Sequence, residues 1–234
     1  MLKVEGLVAY YGEAQALENV SFELPDSGVT ALLGANAAGK TTTLRVVSGV
    51  LAARKGTVMF NGEDITKATP EERVRLGIVH VPEGRRLFGT LTVEENLLLG
   101  GYSRRKDGKS KDRLARIYSM LPKLSERRTQ LAGTLSGGEQ QMCAVGRGLM
   151  SEPTVLMIDE MSLGLAPVIV SQMFTFVKEI AAEGVSVLLV EQQVQHALQA
   201  ADRATIIDKG VTTHSGTAEE IRNDPKVREA YLGV

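Results

Sequence analysis

The stretch Gly34-Ala35-Asn36-Ala37-Ala38-Gly39-Lys40-Thr41 decides the fold, because it joins an apolar strand pattern at Val29–Leu33 to the helical spacing that follows. It fits the pattern G-x-x-x-x-G-K-[ST], in which successive backbone N–H groups form an anion site at the start of a helix. We expect Lys40 to neutralise the outer phosphates of a ligand and Thr41 to place its hydroxyl on a Mg²⁺ ion that bridges two phosphates. This loop, extended to Thr42, is therefore a predicted phosphate-binding site.

Apolar runs elsewhere in the chain predict an α/β fold. Val155–Ile158, Ser186–Val190 and Ala204–Ile207 are continuous apolar segments separated by helical patterns, which is typical of parallel strands covered on both faces. The short segments Leu2–Val8 and Val20–Leu24 indicate an antiparallel hairpin or meander with one solvated face.

The composition excludes several function classes. The chain has 27 Lys and Arg residues and 28 Asp and Glu residues, so its formal net charge is -1. This balance does not indicate the excess positive charge that nucleic-acid binding or a polybasic membrane anchor requires. A single cysteine, Cys143, excludes an intrachain disulfide framework and a multi-cysteine zinc site. No apolar run approaches the roughly 18 residues of a membrane span, and no signal peptide opens the chain. We expect an intracellular protein that reaches a membrane only through a partner.

Two carboxylates end the apolar strand Val155–Ile158. The carboxyl ends of parallel strands face the ligand crevice of an open sheet. We therefore expect Asp159 near Mg²⁺, directly or through water, and Glu160 near the attacking water. Adjacent residues of an ending strand point to different sides, so the two acids can divide these tasks.

A second glycine-bearing helix start follows in Leu135-Ser136-Gly137-Gly138-Glu139-Gln140-Gln141. Ser136 and Glu139 form a capping box, and the two glycines expose the first N–H groups of the helix as another anion site. One nucleotide cannot easily use both helix starts. If the second lies on a helical lobe far from the first, it serves a nucleotide held by another copy of the chain.

The phosphate loop, Leu135–Gln141 and Val155–Glu160 together resemble the motifs of ATP-binding cassette (ABC) ATPases, and the resemblance covers essentially the whole chain. Further stretches are similar to the ATP-binding subunits of bacterial branched-chain amino acid importers, namely Tyr10–Gly12, Val81–Arg86, Leu91–Leu97, Ser162–Pro167 and Val190–Gln192. The resemblance implies a P-loop NTPase (RecA-like) parallel sheet core with an antiparallel β edge, formed by residues 1–83 and 151–234. It also implies an inserted α-helical subdomain over residues 84–150.

The resemblance further implies that ATP and Mg²⁺ are the cofactors, and it assigns roles to matching residues. Tyr11 would stack on the adenine, the loop 34–42 would hold the phosphates, and Thr41, Asp159 and Glu83 would lie at the metal. Ser136, Gly137 and Gly138 would contact the ATP of an opposing subunit. Glu160 would be the general base, Glu83 falls at the position of a glutamine that senses γ-phosphate and Mg²⁺, and Gln192 occupies the usual position of a switch histidine.

The implied partners are transmembrane permease subunits, a second ATP-binding subunit that is identical or paralogous, and indirectly a solute-binding protein. The segment after Glu83 would face a cytoplasmic helix of the permease, with the chain peripheral on the inner face of the cell membrane. The implied function is ATP hydrolysis at a head-to-tail dimer interface, which powers uptake of branched-chain amino acids or a related small solute.

Three departures from the family pattern affect the chemistry. Ala37 replaces a usual glycine, and alanine costs about 1 kcal/mol or more if this position needs a positive φ. Gln192 neither gains nor loses a proton near neutral pH. Glu83 places a possible negative charge near phosphate and would act through Mg²⁺ or water. Slow basal hydrolysis is the resulting hypothesis.

Two other function classes compete with transport. A soluble ABC ATPase of translation or DNA repair typically shows duplicated cassettes, long coiled coils or cysteine clusters, which this sequence lacks. A small P-loop kinase or GTPase would leave Leu135–Gln141 without a role. The transported solute is not encoded in the cassette, although Glu83 favours the amino acid group over urea importers.

Overall fold

The computed structural model of the chain describes residues 1–232. Its strands are β1 (Leu2–Tyr11), β2 (Ala14–Leu24), β3 (Gly28–Leu33), β4 (Lys55–Phe60), β5 (Glu63–Asp64), β6 (Ile78–Val81), β7 (Val155–Asp159), β8 (Ser186–Glu191), β9 (Arg203–Asp208) and β10 (Val211–Thr217). Its α-helices are α1 (Lys40–Val47), α2 (Pro70–Arg75), α3 (Val93–Gly100), α4 (Ser110–Met120), α5 (Pro122–Glu126), α6 (Gly137–Leu149), α7 (Pro167–Ala182), α8 (Val194–Ala200), α9 (Ala218–Asn223) and α10 (Pro225–Val227). Short 3-10 turns lie at Tyr102–Arg104 and Ala132–Thr134, and a π-helical turn lies at Arg228–Leu232.

The strands form one 10-stranded sheet in the order β5-β4-β1-β2-β10-β9-β3-β8-β7-β6. The pairs of β3 with β9 and β8, β8 with β7, and β7 with β6 are all parallel. β1 pairs antiparallel with β2 and with β4, and β10 pairs antiparallel with β9. The predicted parallel core with an antiparallel edge is therefore confirmed.

Strand β8 shows why the central strands are continuously apolar. All six of its residues are buried. Val187 and Leu189 belong to the apolar cluster that includes α6 and α7, whereas Leu188 and Val190 belong to the cluster on the opposite face that includes α1. Because successive side chains of a strand point to opposite faces, a sheet with helices on both sides needs apolar residues at every position.

Between β6 and β7 the chain is helical, apart from one isolated bridge between Thr92 and Leu131. Helices α3 and α6 of this segment both begin with a capping box, at Thr92 and at Ser136, and the box at Ser136 is the one predicted above. The division into a core and an inserted subdomain at 83/84 and 150/151 stays a prediction. The sequence patterns carried no prediction for β10, α9 or α10, which follow the last predicted strand.

A buried arginine fixes the far end of the helix that starts in the phosphate loop. Arg73 of α2 is 2% exposed. Its guanidinium donates to the carbonyl oxygens of Val46 and Val47 at the end of α1, both at 2.7 Å. It also donates to the carbonyl oxygens of Ile65 and Thr66, at 2.7 and 2.8 Å. The carbonyl oxygens of Val46 and Ile65 also accept from the N–H groups of Gly49 and Ala68, so Arg73 is their second donor. For the carbonyl oxygens of Val47 and Thr66, Arg73 supplies a donor that the end of a helix and a turn lack by themselves.

We expect Arg73→Met to lower the free energy of unfolding by about 3 kcal/mol or more, because several buried carbonyls lose a charged donor. Arg75→Met on the exposed side of the same helix is the matched control and should change little. Urea denaturation of both variants measures the difference. Equal losses in the two variants would contradict the role of Arg73.

Candidate nucleotide-binding site

The phosphate loop has the strand-loop-helix context that its sequence predicts, since β3 ends at Leu33 and α1 begins at Lys40. Gly34 comes so close to β9 that a Cβ atom would lie 2.2 Å from the carbonyl oxygen of Ile207. Gly39 has a φ of 108°, and a Cβ there would lie 2.7 Å from Cδ2 of Leu17. Both positions therefore require glycine, because a larger residue would have to displace its neighbours.

Ala37 adopts the left-handed backbone conformation, in which alanine is less stable than glycine. Its φ is 62°. An alanine there clashes with its own backbone, at a cost of about 1 kcal/mol. The loop therefore keeps its shape against local strain.

The Lys40 side chain is folded back over the loop and is nearly fully buried. Its Nζ atom donates to the carbonyl oxygens of Gly34 at 2.8 Å and Ala35 at 3.0 Å. Nζ also lies 3.6 Å from Oε1 of Glu160. The ammonium group is thereby held at the loop, where it can oppose phosphate charge and also balances one carboxylate of the site.

Asp159 ends β7 and is 1% exposed. Within residues 1–232, neither of its carboxylate oxygens has a hydrogen-bond partner. Burial, with smaller contributions from Glu160 and Glu83, raises the pKa of Asp159 to about 6, while the nearby Thr41 side chain and Lys40 oppose that rise. A buried carboxylate with unsatisfied oxygens is costly unless a cation or donor compensates it. Asp159 and the Thr41 side chain therefore fit a hard, oxygen-preferring cation such as Mg²⁺.

In the described part of the chain, no group of three or more His, Cys, Asp or Glu side chains could hold a metal ion. A Mg²⁺ ion at Asp159 and Thr41 would therefore need further oxygen ligands. The phosphates of a nucleotide and water would supply these ligands.

Glu160 directly follows β7 and adopts a left-handed backbone with a φ of 49°. Its N–H donates to the carbonyl oxygen of Val190 at 2.9 Å, which ties the turn to β8. Its Oε2 atom accepts a hydrogen bond of 2.6 Å from Nε2 of Gln192. Non-glycine residues in this conformation cost about 1–3 kcal/mol and cluster at functional sites. The strained turn lets Asp159 stay buried while Glu160 reaches the cleft.

The cleft around Lys40 brings together most of the residues predicted from sequence. Its volume is about 840 Å³. Its predicted members are Asn36, Ala37, Ala38, Gly39, Lys40, Thr41, Thr42, Glu83, Glu160 and Gln192. Leu163 and Lys209 also line it and were not predicted. Phosphate-binding amides, a lysine and carboxylates thus converge on one cavity, which is the arrangement that phosphoryl-transfer sites use.

Tyr11 does not line this cleft. It ends β1, is 43% exposed, and accepts a hydrogen bond of 2.9 Å at its hydroxyl from Nη1 of Arg45. The Arg45 guanidinium carbon lies 5.9 Å from the centre of the ring. Arg45 is part of α1 and was not predicted; it ties the exposed tyrosine to the helix of the phosphate loop.

The second glycine-bearing helix start is also separate from the cleft, since none of Ser136, Gly137 and Gly138 lines it. Ser136 caps α6: its N–H donates to Oε2 of Glu139 at 2.9 Å, and its hydroxyl donates to the same atom at 2.6 Å. A Cβ at Gly138 would lie 2.7 Å from Cγ2 of Ile169 on the side of α7. The structure therefore confirms the capping box and places the predicted signature residues outside their own chain's phosphate cleft.

A buried acid that no sequence pattern indicated holds the turn that follows Glu160. Glu191 is fully buried and accepts hydrogen bonds from the N–H of Ser162 at 3.0 Å and its hydroxyl at 2.6 Å. Burial raises the pKa of Glu191 to about 7, against the two hydrogen bonds from Ser162, which lower it. Hydrogen bonds from Glu160 to Val190 and from Ser162 to Glu191 thus join the ends of β7 and β8.

Comparisons with known proteins agree with this geometry. The family described as ABC transporter matches residues 17–162, and the family described as Branched-chain amino acid ATP-binding cassette transporter matches residues 215–234. The high-affinity branched-chain amino acid transport ATP-binding protein BraG of Pseudomonas aeruginosa is 44% identical over 233 residues and 100% of both chains. The probable branched-chain amino acid transport ATP-binding protein LivF of Archaeoglobus fulgidus is 35% identical, over 100% of this chain and 99% of its own.

A crystal structure of an ATP-binding cassette of an ABC transporter, in its ADP conformation, matches with a TM-score of 0.88 at 32% identity. The match covers 100% of this chain and 99% of that chain. Fold and cleft together define a P-loop NTPase. The chain belongs to the ATP-binding cassette family of ABC transporters, whose members are ATPases. No helix described for residues 1–232 is both long enough and apolar enough to cross a bilayer.

We expect Ala37→Gly to raise the free energy of unfolding by about 1 kcal/mol, because glycine removes the left-handed strain. Ala38→Gly is the matched control: Ala38 is buried outside the left-handed region, so glycine there should destabilise the protein. Chemical denaturation measures both. If Ala37→Gly destabilised the chain as much as Ala38→Gly, the assigned loop conformation would be wrong.

Replacing Glu191 by glutamine should stabilise the protein in a pH-dependent way. The pKa of Glu191 is raised in the folded state from 4.5 to about 7, so ionising it in the folded protein costs free energy as the pH rises through this interval. The gain from Glu191→Gln should be near zero at pH 4.5 and reach about 3 kcal/mol above pH 7.

Unfolding by urea between pH 5 and pH 8 measures this gain. Glu63→Gln, on the exposed edge strand β5, is the control for a Glu-to-Gln change at the surface and should alter the free energy of unfolding little. A gain from Glu191→Gln that stays constant with pH would refute the raised pKa.

Proposed function

We propose that this chain is the ATP-binding subunit of an importer for branched-chain amino acids or a related small solute, and that it hydrolyses ATP at a head-to-tail dimer interface. The observation that carries the proposal is the separation of two anion-binding elements. The phosphate loop, Glu160 and Gln192 line one cleft, whereas Ser136–Gly138 lie outside that cleft. The cargo is inferred from the relatives named for branched-chain amino acid transport.

A dimer is proposed because the phosphate cleft and the start of α6 each supply groups that the other lacks. The cleft supplies positive charge at Lys40 and loop amides on one side of a triphosphate. The α6 helix start offers a serine hydroxyl and the first N–H groups of a 13-residue helix. Two copies packed head to tail would each place Ser136–Gly138 against the nucleotide in the other's cleft. Leu163, which is exposed and lines the mouth of the cleft, would then lie at the contact.

The chemistry is positioning and charge stabilisation. Lys40 and the loop amides would hold the outer phosphates, and Asp159 with Thr41 would hold Mg²⁺, which would neutralise phosphate charge when bound. Glu160 would orient the attacking water and take up its proton. Gln192, which donates to Glu160, keeps that carboxylate directed into the cleft and can donate to γ-phosphate without changing its charge.

A groove beside the segment that follows Glu83 is the proposed permease contact. Its volume is about 400 Å³, and Val81, Pro82, Phe88 and Leu99 are among its apolar lining residues. Phe88 is 55% exposed and Leu99 is also exposed. Apolar side chains exposed together mark interaction sites, and a groove of this kind fits the apolar face of a partner helix.

We expect Glu160→Gln to bind ATP, to form a stable dimer with it, and to hydrolyse it about 100-fold or more slowly than the parent chain, because the general base is lost. Lys40→Ala should fail to bind ATP productively. Size-exclusion chromatography with light scattering and a phosphate-release assay measure these properties. Hydrolysis by Glu160→Gln at the parent rate would remove Glu160 from its assigned role.

Uptake assays test the cargo. In cells that lack this chain, restoring it should restore uptake of radiolabelled leucine, isoleucine or valine, and restoring Lys40→Ala should not. Recovery of urea uptake without any branched-chain amino acid uptake would contradict the proposed cargo. Normal uptake of all these solutes without the chain would contradict transport itself.

A further inference from the structure

A strained turn separates β6 from the helical segment. Three consecutive residues, Gly84, Arg85 and Arg86, have positive φ angles of 76°, 63° and 47°. Left-handed backbone is natural for glycine but unfavourable for arginine, and two adjacent arginines in this conformation require contacts that hold them. The turn follows directly on Glu83, which lines the nucleotide cleft.

Arg147 of α6 holds the backbone of this turn. Its Nη1 atom donates to the carbonyl oxygen of Arg86 at 2.8 Å, and its Nη2 atom donates to that of Arg85 at 3.2 Å. The same guanidinium lies 5.8 Å from the ring centre of Phe88, a lining residue of the proposed permease groove. One arginine thus connects the groove, the strained turn and α6.

The side chain of Arg85 makes a second connection, at the other end of α6. Its Nη1 atom donates to Oε1 of Gln140 at 2.9 Å. Its guanidinium also lies over Gly137, because a Cβ built there would be 3.1 Å from Nη2 and 3.4 Å from Nη1. Arg85 therefore occupies the space that a side chain at the first signature glycine would need.

We propose that Arg85 is a positioning residue, which sets the orientation of the Ser136–Gly138 turn and makes it follow the segment after Glu83. This inference rests on the proposed function, since it concerns how the signature turn meets the second copy's ATP. Gln140 and Arg147 are seven residues apart, so the strained turn is hydrogen-bonded to α6 at two points about 10 Å apart along the helix axis. Because it is fixed at two points, α6 moves together with the turn. Displacement of Phe88 or of the turn by the permease would thus reorient the signature turn.

The charge around Arg85 indicates that the contact is not kept for stability alone. A guanidinium beside a helix N-terminus is electrostatically unfavourable. The acid at this helix start, Glu139, is instead bound by Ser136 and by Arg127, whose Nε atom lies 2.7 Å from its Oε1. Among residues 1–232, no carboxylate forms an ion pair with Arg85. Removing its charge should therefore leave folding nearly unaffected.

The test uses the full chain carrying Glu160→Gln, in which ATP-driven dimerisation is measured by sedimentation velocity. Adding Arg85→Ala should raise the protein concentration needed for half-maximal dimer about tenfold or more, because a signature turn that is no longer held must be ordered when the dimer forms. Binding of a fluorescent ATP analogue to the monomer should stay within about twofold, as expected for a site that Arg85 does not touch. Arg85→Lys, which keeps one donor, should regain part of the dimer.

Two further variants separate positioning from general damage. Gln140→Ala should weaken the dimer as Arg85→Ala does, and the double variant should match either single variant within about twofold, because one contact is removed in each case. Arg116 lies on α4 of the same helical segment and forms an exposed ion pair with Glu183, which follows α7. Arg116→Ala should leave dimerisation unchanged. Thermal unfolding should give similar Tm values for the Arg85 and Arg116 variants.

The outcomes distinguish the two proposals. If Glu160→Gln alone does not dimerise with ATP, the proposed function is wrong and this inference falls with it. If it dimerises and Arg85→Ala dimerises at the same concentration, only the role of Arg85 is wrong. A weaker dimer that is matched by an equal loss of ATP affinity or of folded protein, or additive effects of Arg85→Ala and Gln140→Ala, would also overturn that role.

Discussion

The in-register pairing of three parallel strands is the constraint on which the site depends. Leu33, the last residue of β3, pairs with Glu191 of β8, and Asp159, the last residue of β7, pairs with Val190. The three strands therefore end at the same level. The phosphate loop, the Glu160 turn and the Gln192 turn follow these strands, so the three segments must meet at the carboxyl end of the sheet. A slip of one residue in either pairing would turn every side chain of the shifted strand to the opposite face.

Burial at the carboxyl end of the sheet raises the pKa values of two acids of the site. Asp159 and Glu191 are both buried acids with raised pKa values, of about 6 and about 7. The free-energy costs of burying the two carboxyl groups have different causes. Glu191 accepts hydrogen bonds from Ser162, whereas the carboxylate oxygens of Asp159 have no hydrogen-bond partner among residues 1–232. Strain adds to this at Ala37 and Glu160, which both have positive φ angles. The fold thus holds groups in place that would be unfavourable in isolation, as functional sites commonly do.

Local signals in the sequence predict the parts of the site that short segments determine. The phosphate loop, the acids after β7 and the capping box at Ser136 are each contained in fewer than ten consecutive residues. The contacts that sequence reasoning missed join distant segments: Arg73 with Val46, Ser162 with Glu191, and Arg85 with Gln140. Nothing local marks a buried arginine or glutamate as different from a solvated one. Likewise, the positive φ at Glu160 depends on how β7 and β8 are tied together, which no short pattern encodes.

The central claim is that the phosphate loop of one chain and the α6 helix start of another hold the same nucleotide. A crystal or cryo-EM structure of the Glu160→Gln chain with ATP and Mg²⁺ tests it most directly. The account predicts the Ser136 hydroxyl of one copy at hydrogen-bond distance, about 3 Å, from the γ-phosphate that Lys40 of the other copy contacts. An ATP-bound structure in which Ser136 of every copy faces solvent or its own chain would contradict the account.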